Sequence, residues 1–189
     1  PSKVKFRVDA PVPAAAEILA SDRLSDVSGT LIDPNSSKGN LTASISMGMP
    51  VKGSMTKADT TYAVTADLSG FAADKLVMNQ KLEANSLKVV ANNAGYQVKG
   101  DVKINGQSAS LDYRKPNEGD ADIRLSATLD DASRARLGLD LGPAVTGAIP
   151  IKVIGKIGAN DTRVGTQADL TPLKLDSILP AWVNAPGQP

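Results

Sequence analysis

The sequence contains no cysteine and no histidine. Without cysteine there are no disulfides and no zinc–thiolate sites. Without histidine the commonest general base, the commonest metal ligand and every Ser-His or Cys-His nucleophile pair are missing. Aromatic residues make up only 3% of the chain, so a core built from it lacks large anchors and a nucleic-acid reader would have almost nothing on which to stack bases. Twenty-one basic residues stand against twenty acidic ones, a net charge of +1, and no bulk field favours nucleic acid. No run of apolar residues is long enough to form a transmembrane helix. There is no signal peptide and no initiator Met; a chain that begins at Pro1 reads as a slice of a longer protein or a mature form. GxSxG, P-loop and GxGxxG motifs are missing too. The composition argues against an enzyme and calls for no cofactor and no metal.

What the chain does have is alternation. In the stretch LTASISMGMPVKG, Leu41, Ala43, Ile45, Met47, Met49 and Val51 are apolar, and the residues between them are small or polar. This period of two belongs to a strand with one apolar and one polar face. Unbroken, residues 41–51 would run about 35 Å, long for a globular strand. Pro50 cannot donate to a ladder, so the strand is expected to be an edge or to bend there. Met47 and Met49 add soft, adaptable side chains to the apolar face. The same alternation recurs in Val4, Phe6 and Val8, in VSGTLI, GSMTKA, YAVTADL, KLVMNQ and SLKVVAN, and in Ala121, Ile123, Leu125, Ala127 and Leu129. Asn92-Asn93-Ala94-Gly95 and Asn105-Gly106 mark hairpin turns. Two short helices are predicted, one near residues 13–22 with an alanine-rich apolar side, and one near 131–140 capped by Asp130 or Asp131 and stopped by Gly142-Pro143.

The elements repeat. Ala66-Asp67-Leu68-Ser69 is echoed roughly 100 residues later by Ala168-Asp169-Leu170-Thr171, and Leu19 to Val27 is a counterpart of Leu137 to Val145. Two β-rich units are therefore expected, 1–100 and 101–189, which could also form one continuous domain. The predicted class is β-rich (α+β): a curved antiparallel sheet of repeated units with two short helices and an apolar concave face.

Polar clusters weigh little. Asp33, Asn35 and Ser37 have the spacing of a calcium loop, but Ser44 stands where such a loop needs its closing acid, so a polar hairpin loop is the better reading. Helix capping accounts for Asp130-Asp131. Arg134 and Arg136 are two apart, do not share a helix face, and read as solvated.

The segment LSATLDDASRARLGLDLGPAVTGAIPIKVIGKI, followed by TQADLTPLKLDSILPAWVNAPGQP, resembles the C-terminal repeat of AsmA-like proteins, in the YhdP-like branch, with its domain of unknown function. The matching residues are Leu137-Gly138-Leu139, Thr146-Gly147, Ala168-Asp169-Leu170, Trp182 and Pro186-Gly187. VDAPVPAAAEILASDRLSDVSGTL resembles the preceding unit. Where family members often have a lysine after the tryptophan, this chain has Val183-Asn184. The resemblance implies a periplasmic segment of a protein anchored in the bacterial inner membrane, a non-enzymatic bridge for lipid that serves phospholipid transport, outer-membrane biogenesis and integrity. Its partners would be phospholipid acyl chains and neighbouring repeats of the parent chain, with no nucleic acid and no transmembrane helix in this segment.

On this reading the lipid groove is lined by Leu41, Ala43, Ile45, Met47, Met49 and Val51, with Ile123, Leu125 and Ala127. Two rivals stand beside it: a β-sandwich scaffold module that binds envelope proteins by strand addition, and a carboxylate-only hydrolase, for which no facing acid pair is visible.

Overall fold

In the computed structural model, the described residues are 2–20, 32–49, 60–77, 80–139, 141–142, 144–158, 161–179 and 182–184. Alternating residues give strands β1 (Ser2–Pro11), β2 (Ser37–Met49), β3 (Thr61–Val77), β4 (Gln80–Asn92), β5 (Gly95–Ile104), β6 (Gln107–Pro116) and β7 (Ala121–Leu129). They continue as β8 (Val145–Thr146), β9 (Ile149–Ile157), β10 (Thr162–Ala168), β11 (Lys174–Leu179) and β12 (Trp182–Asn184). Nine of them form one antiparallel, curved, unclosed sheet in the order β1-β2-β3-β4-β5-β6-β7-β9-β10. A smaller sheet has the order β12-β11-β8. The β-sandwich alternative does not describe this arrangement. The ladder is continuous from β1 to β10, and β5 itself straddles residues 100 and 101.

The turns follow their chemistry. Asn105 and Gly106 both have positive φ, +48° and +81°, the pattern of a type I′ hairpin that matches the strand twist. Before β5, the Asn92 side chain accepts the Ala94 N–H at 2.8 Å. The Asn93 amide reaches across to β3, accepting from Tyr62 N–H at 2.8 Å and donating to the Thr60 carbonyl at 2.9 Å.

The long strands β3 and β4 each contain a slip in phase. The apolar side continues from Ala66 and Leu68 to Phe71 and Ala73, and from Leu82 and Ala84 to Leu87 and Val89. Register shifts at Lys38/Asn40 and Glu83/Ser86 absorb the extra residue as bulges, so both sides of each slip keep their apolar residues on one face. β2 is paired on both sides, by β1 and β3, and ends at Met49. It is an interior strand, which excludes the edge alternative; Pro50, the site of the expected bend, lies outside the described residues. So do the stretch GSMTKA, Val51, most of VSGTLI and the closing Pro186-Gly187.

Helix α1 (Val12–Leu19) is shorter than the predicted 13–22. Val12 and Ala16 are its buried residues, and small alanines let it lie close to β2. Helix α2 (Asp131–Arg136) is capped as expected by Asp130, whose carboxylate accepts the Ser133 N–H at 2.8 Å. It stops well before residue 140. Gly138, at φ +74°, lets its own N–H turn back to Ala135 O and that of Leu139 to Arg134 O, a Schellman closure.

Arg134 corrects the reading of a solvated cation. It is 3% exposed. Its guanidinium donates to the carbonyls of Leu129, Gly147 and Val145 and pairs with Asp131. Asp131 in turn accepts the Gly147 N–H at 3.2 Å. A six-residue helix is thereby fastened to the β8 strand that it precedes.

Candidate functional site

In an antiparallel ladder, residues directly opposite each other project to the same face. Following the register across the sheet gives one lateral row, Val8–Ala43–Ala66–Val89–Val98–Tyr113–Ile123–Gly155–Val164, with one residue from each strand. Every member is apolar, a glycine or a tyrosine. The adjacent row is Ala10–Leu41–Leu68–Leu87–Gly100–Leu111–Leu125–Val153–Thr166. The two groups predicted from alternation, on β2 and on β7, are thus parts of one continuous face.

The opposite face is polar. One of its rows reads Asp9–Thr42–Asp67–Lys88–Lys99–Asp112–Arg124–Ile154–Gly165. Ion pairs run along this side: Arg7 with Asp9 at 3.0 Å, Lys99 with Asp112 at 3.3 Å and Lys81 with Glu83 at 2.8 Å. Asp112 is held below the usual carboxylate range, chiefly by the hydrogen bond from Gln97 and then by Lys99. Asp9 is lowered likewise by the Thr42 hydroxyl and Arg7. These exposed pairs contribute little stability, but they keep this face wet.

Burial divides the apolar face. Phe71, Leu82, Leu87, Leu111 and Ile123 belong to one packed cluster, which Val12 of α1 joins. Toward the open edges the face is accessible: Phe6 is 43% and Val164 49% exposed. Of the predicted groove residues, Ala43 and Ile123 lie in the packed part and are buried. Leu41, Ile45, Met47, Met49, Leu125 and Ala127 are half-buried. Val4 stands opposite Met47 and Phe6 opposite Ile45, so β1 completes the accessible end; its own alternation was the signal for that.

An open depression of about 1020 Å³ lies over the ends of β5, β6, β7, β9 and β10. Five of its polar side chains, Asp101, Ser110, Ser126, Lys152 and Gln167, share the charged face through the register. Of the predicted groove residues, only Ala127 borders it.

Other readings of polar residues resolve locally. Asp33 accepts the Asn35 N–H at 2.9 Å to start the turn Pro34–Ser36, and the Ser37 hydroxyl donates to Pro34 O at 3.3 Å. Asp169 accepts the Thr171 N–H at 3.0 Å as a turn former, whereas its repeat counterpart Asp67 sits in mid-strand. Among the described residues no cluster of acids could hold a metal ion, and no helix is long and apolar enough to cross a membrane.

Tyr96 and Tyr113 meet on the apolar face with ring centroids 5.9 Å apart. Burial, and then the neighbouring Tyr113, push the Tyr96 phenol well above its ordinary range. A raised folded-state pKa gives stability that is present below the unfolded phenol value, about 10, and lost as pH rises beyond it. The melting temperature is therefore expected to fall above about pH 10, with one phenolate absorbance step delayed until unfolding. Tyr96→Phe should remove that delayed step.

No family model matches this chain, and no curated protein or solved structure does so either.

Proposed function

We propose that this chain is a non-enzymatic lipid-binding segment of a bridge-like AsmA-type protein, working in the periplasm in phospholipid transport and outer-membrane integrity. The observation that carries this reading is the lateral row from Val8 to Val164, apolar apart from Tyr113 and Gly155, packed in its middle and accessible toward its ends, on one side of a sheet whose other side is charged. An acyl chain needs that and little else. Each CH₂ removed from water contributes about 0.8 kcal/mol, so covering a dozen offers about 10 kcal/mol gross without any hydrogen-bond code. A sliding track also works best without deep polar sites. The accessible end formed by Val4, Phe6, Ile45, Met47 and Met49 is where acyl chains would first be held, and neighbouring repeats would extend the track.

The test is native mass spectrometry of the chain purified from a membrane-rich bacterial lysate, with lipid extraction alongside. Co-purified phospholipid is expected. It should be lost when Ile45 and Met47 are both replaced by Asp while the circular dichroism of the strands is retained. A bare protein mass, with no uptake of added phospholipid, would overturn the reading and bring forward the scaffold alternative.

A further inference from the structure

An unclosed sheet has two edges, and here they differ. β1 carries Lys3, Lys5 and Arg7 on its polar side and ends in Pro11, the features with which edge strands resist pairing. Antiparallel self-pairing of β1 about Phe6 would set Lys5 against the Arg7 of the other copy. β10, TRVGTQA, has neither lysine nor proline, and all seven of its residues are exposed. Its one cation, Arg163, is already paired with Asp161 at 2.7 Å.

The parity of the β9–β10 ladder shows which groups β10 leaves open. The Asp169 N–H bonds Pro150 O at 2.9 Å, and the Gly158 N–H bonds Asp161 O at 2.8 Å, so odd-numbered residues of β10 face β9. The N–H and C=O groups of Thr162, Val164, Thr166 and Ala168 therefore point outward. The side chains of these same residues belong to the apolar face.

We propose that the β10 edge pairs antiparallel with β10 of a second copy of this chain, about a two-fold axis normal to the sheet and midway between the two Gly165 residues. That register sets Val164 opposite Thr166 and Thr162 opposite Ala168, joining outward donors to outward acceptors. On the polar side it sets Arg163 opposite Gln167, so no like charges meet. Gly165 meets its own mate as a non-hydrogen-bonded pair. The two-fold keeps both apolar faces on the same side, so the lateral rows run on into the second sheet. This pairing stands whether or not the face binds lipid.

Gly165 provides a direct probe, because a Cβ added there meets nothing closer than 3.8 Å and the chain has no other cysteine. At a non-hydrogen-bonded pair the Cα atoms lie about 4.5 Å apart, within disulfide reach. Under mild oxidation Gly165→Cys is expected to form a covalent dimer. Arg163→Cys is expected to stay monomeric on the denaturing gel, because its mate lies four residues along the partner strand, about 13 Å away. Sedimentation across a concentration series should give the mass of two chains. Thr166→Pro, which deletes an outward donor and leaves the β9 ladder intact, should return one chain with unchanged circular dichroism. A single-chain mass for the parent protein, equal cross-linking from both cysteines, or a two-chain mass that survives Thr166→Pro would each overturn the proposal.

Discussion

Arg134→Met is expected to lower the unfolding free energy by about 3–5 kcal/mol, read as a shift of the urea midpoint at constant slope. The substitution keeps much of the side chain's volume but strands the carbonyls of Leu129, Val145 and Gly147 and the carboxylate of Asp131. Each buried acceptor left unpaired costs about 1–3 kcal/mol, although solvent reaches part of this site. The Asp131 side chain, 58% exposed, rehydrates easily, so most of the loss comes from the carbonyls. Arg134→Lys should recover little of it. A single ammonium cannot span a fan of acceptors that a planar guanidinium satisfies together. Arg136→Met, two residues away on the exposed side of α2, removes one hydrogen bond to the Ser133 hydroxyl, at 3.0 Å, and should cost about 1 kcal/mol.

That contrast shows where sequence reasoning reached its limit. Two arginines separated by one residue look equivalent in a string. Only the path of the chain after α2, turned back by the Schellman closure at Gly138, brings the Gly147 and Val145 carbonyls to one of them. Contacts of this kind depend on loop geometry, which no periodicity encodes. The strands are the opposite case. Alternation in β1, β2 and β7 was plain, the Asn-Gly turn formed as its chemistry requires, and Asp130 capped its helix. Where alternation slips, at Ser69-Gly70 and Asn85-Ser86, the predicted strands YAVTADL and SLKVVAN stop short, and the predicted strand KLVMNQ spans the end of β3 and the start of β4. A bulge shifts the phase by one residue, and a period-two search takes that shift for an end.

Pairing is likewise invisible in one strand alone. The sequence offered Leu41 to Met49 and Ile123 to Ala127 as two apolar stripes. The ladder unites them, with β3 to β6 between them supplying Leu68, Leu87, Leu111 and Val98. Both stripes are apolar in the sequence, yet Ala43 and Ile123 are buried, whereas Met47 is half-buried. Curvature comes from strand twist and bulges summed across the sheet, so it appears only when all nine strands are in place.

The difference between the two faces can be read from one strand. Leu87→Asp is expected to destabilise the protein by at least about 4 kcal/mol, and Val90→Asp by about 1 kcal/mol, the loss of strand propensity. Both residues are apolar members of β4, three positions apart. Leu87 is 3% exposed among Leu68, Leu111 and their neighbours in the core cluster. Val90 is 43% exposed and lies between Thr65 and Gln97 on the charged face. The Leu87 substitution removes buried apolar volume and places a carboxylate where no partner waits, so the new group's pKa should rise. The sign of the pH dependence follows. A raised folded-state value means that the extra penalty appears as pH climbs above the unfolded value, about 3.9, and saturates above the folded one. The stability deficit of Leu87→Asp should therefore be larger at pH 7 than at pH 4, while that of Val90→Asp stays the same at both. Urea titrations of the two variants at each pH measure this directly. Equal costs at both sites would mean that the two faces of β4 do not present opposite environments, and the lipid-bearing role proposed for the apolar side would lose its physical basis.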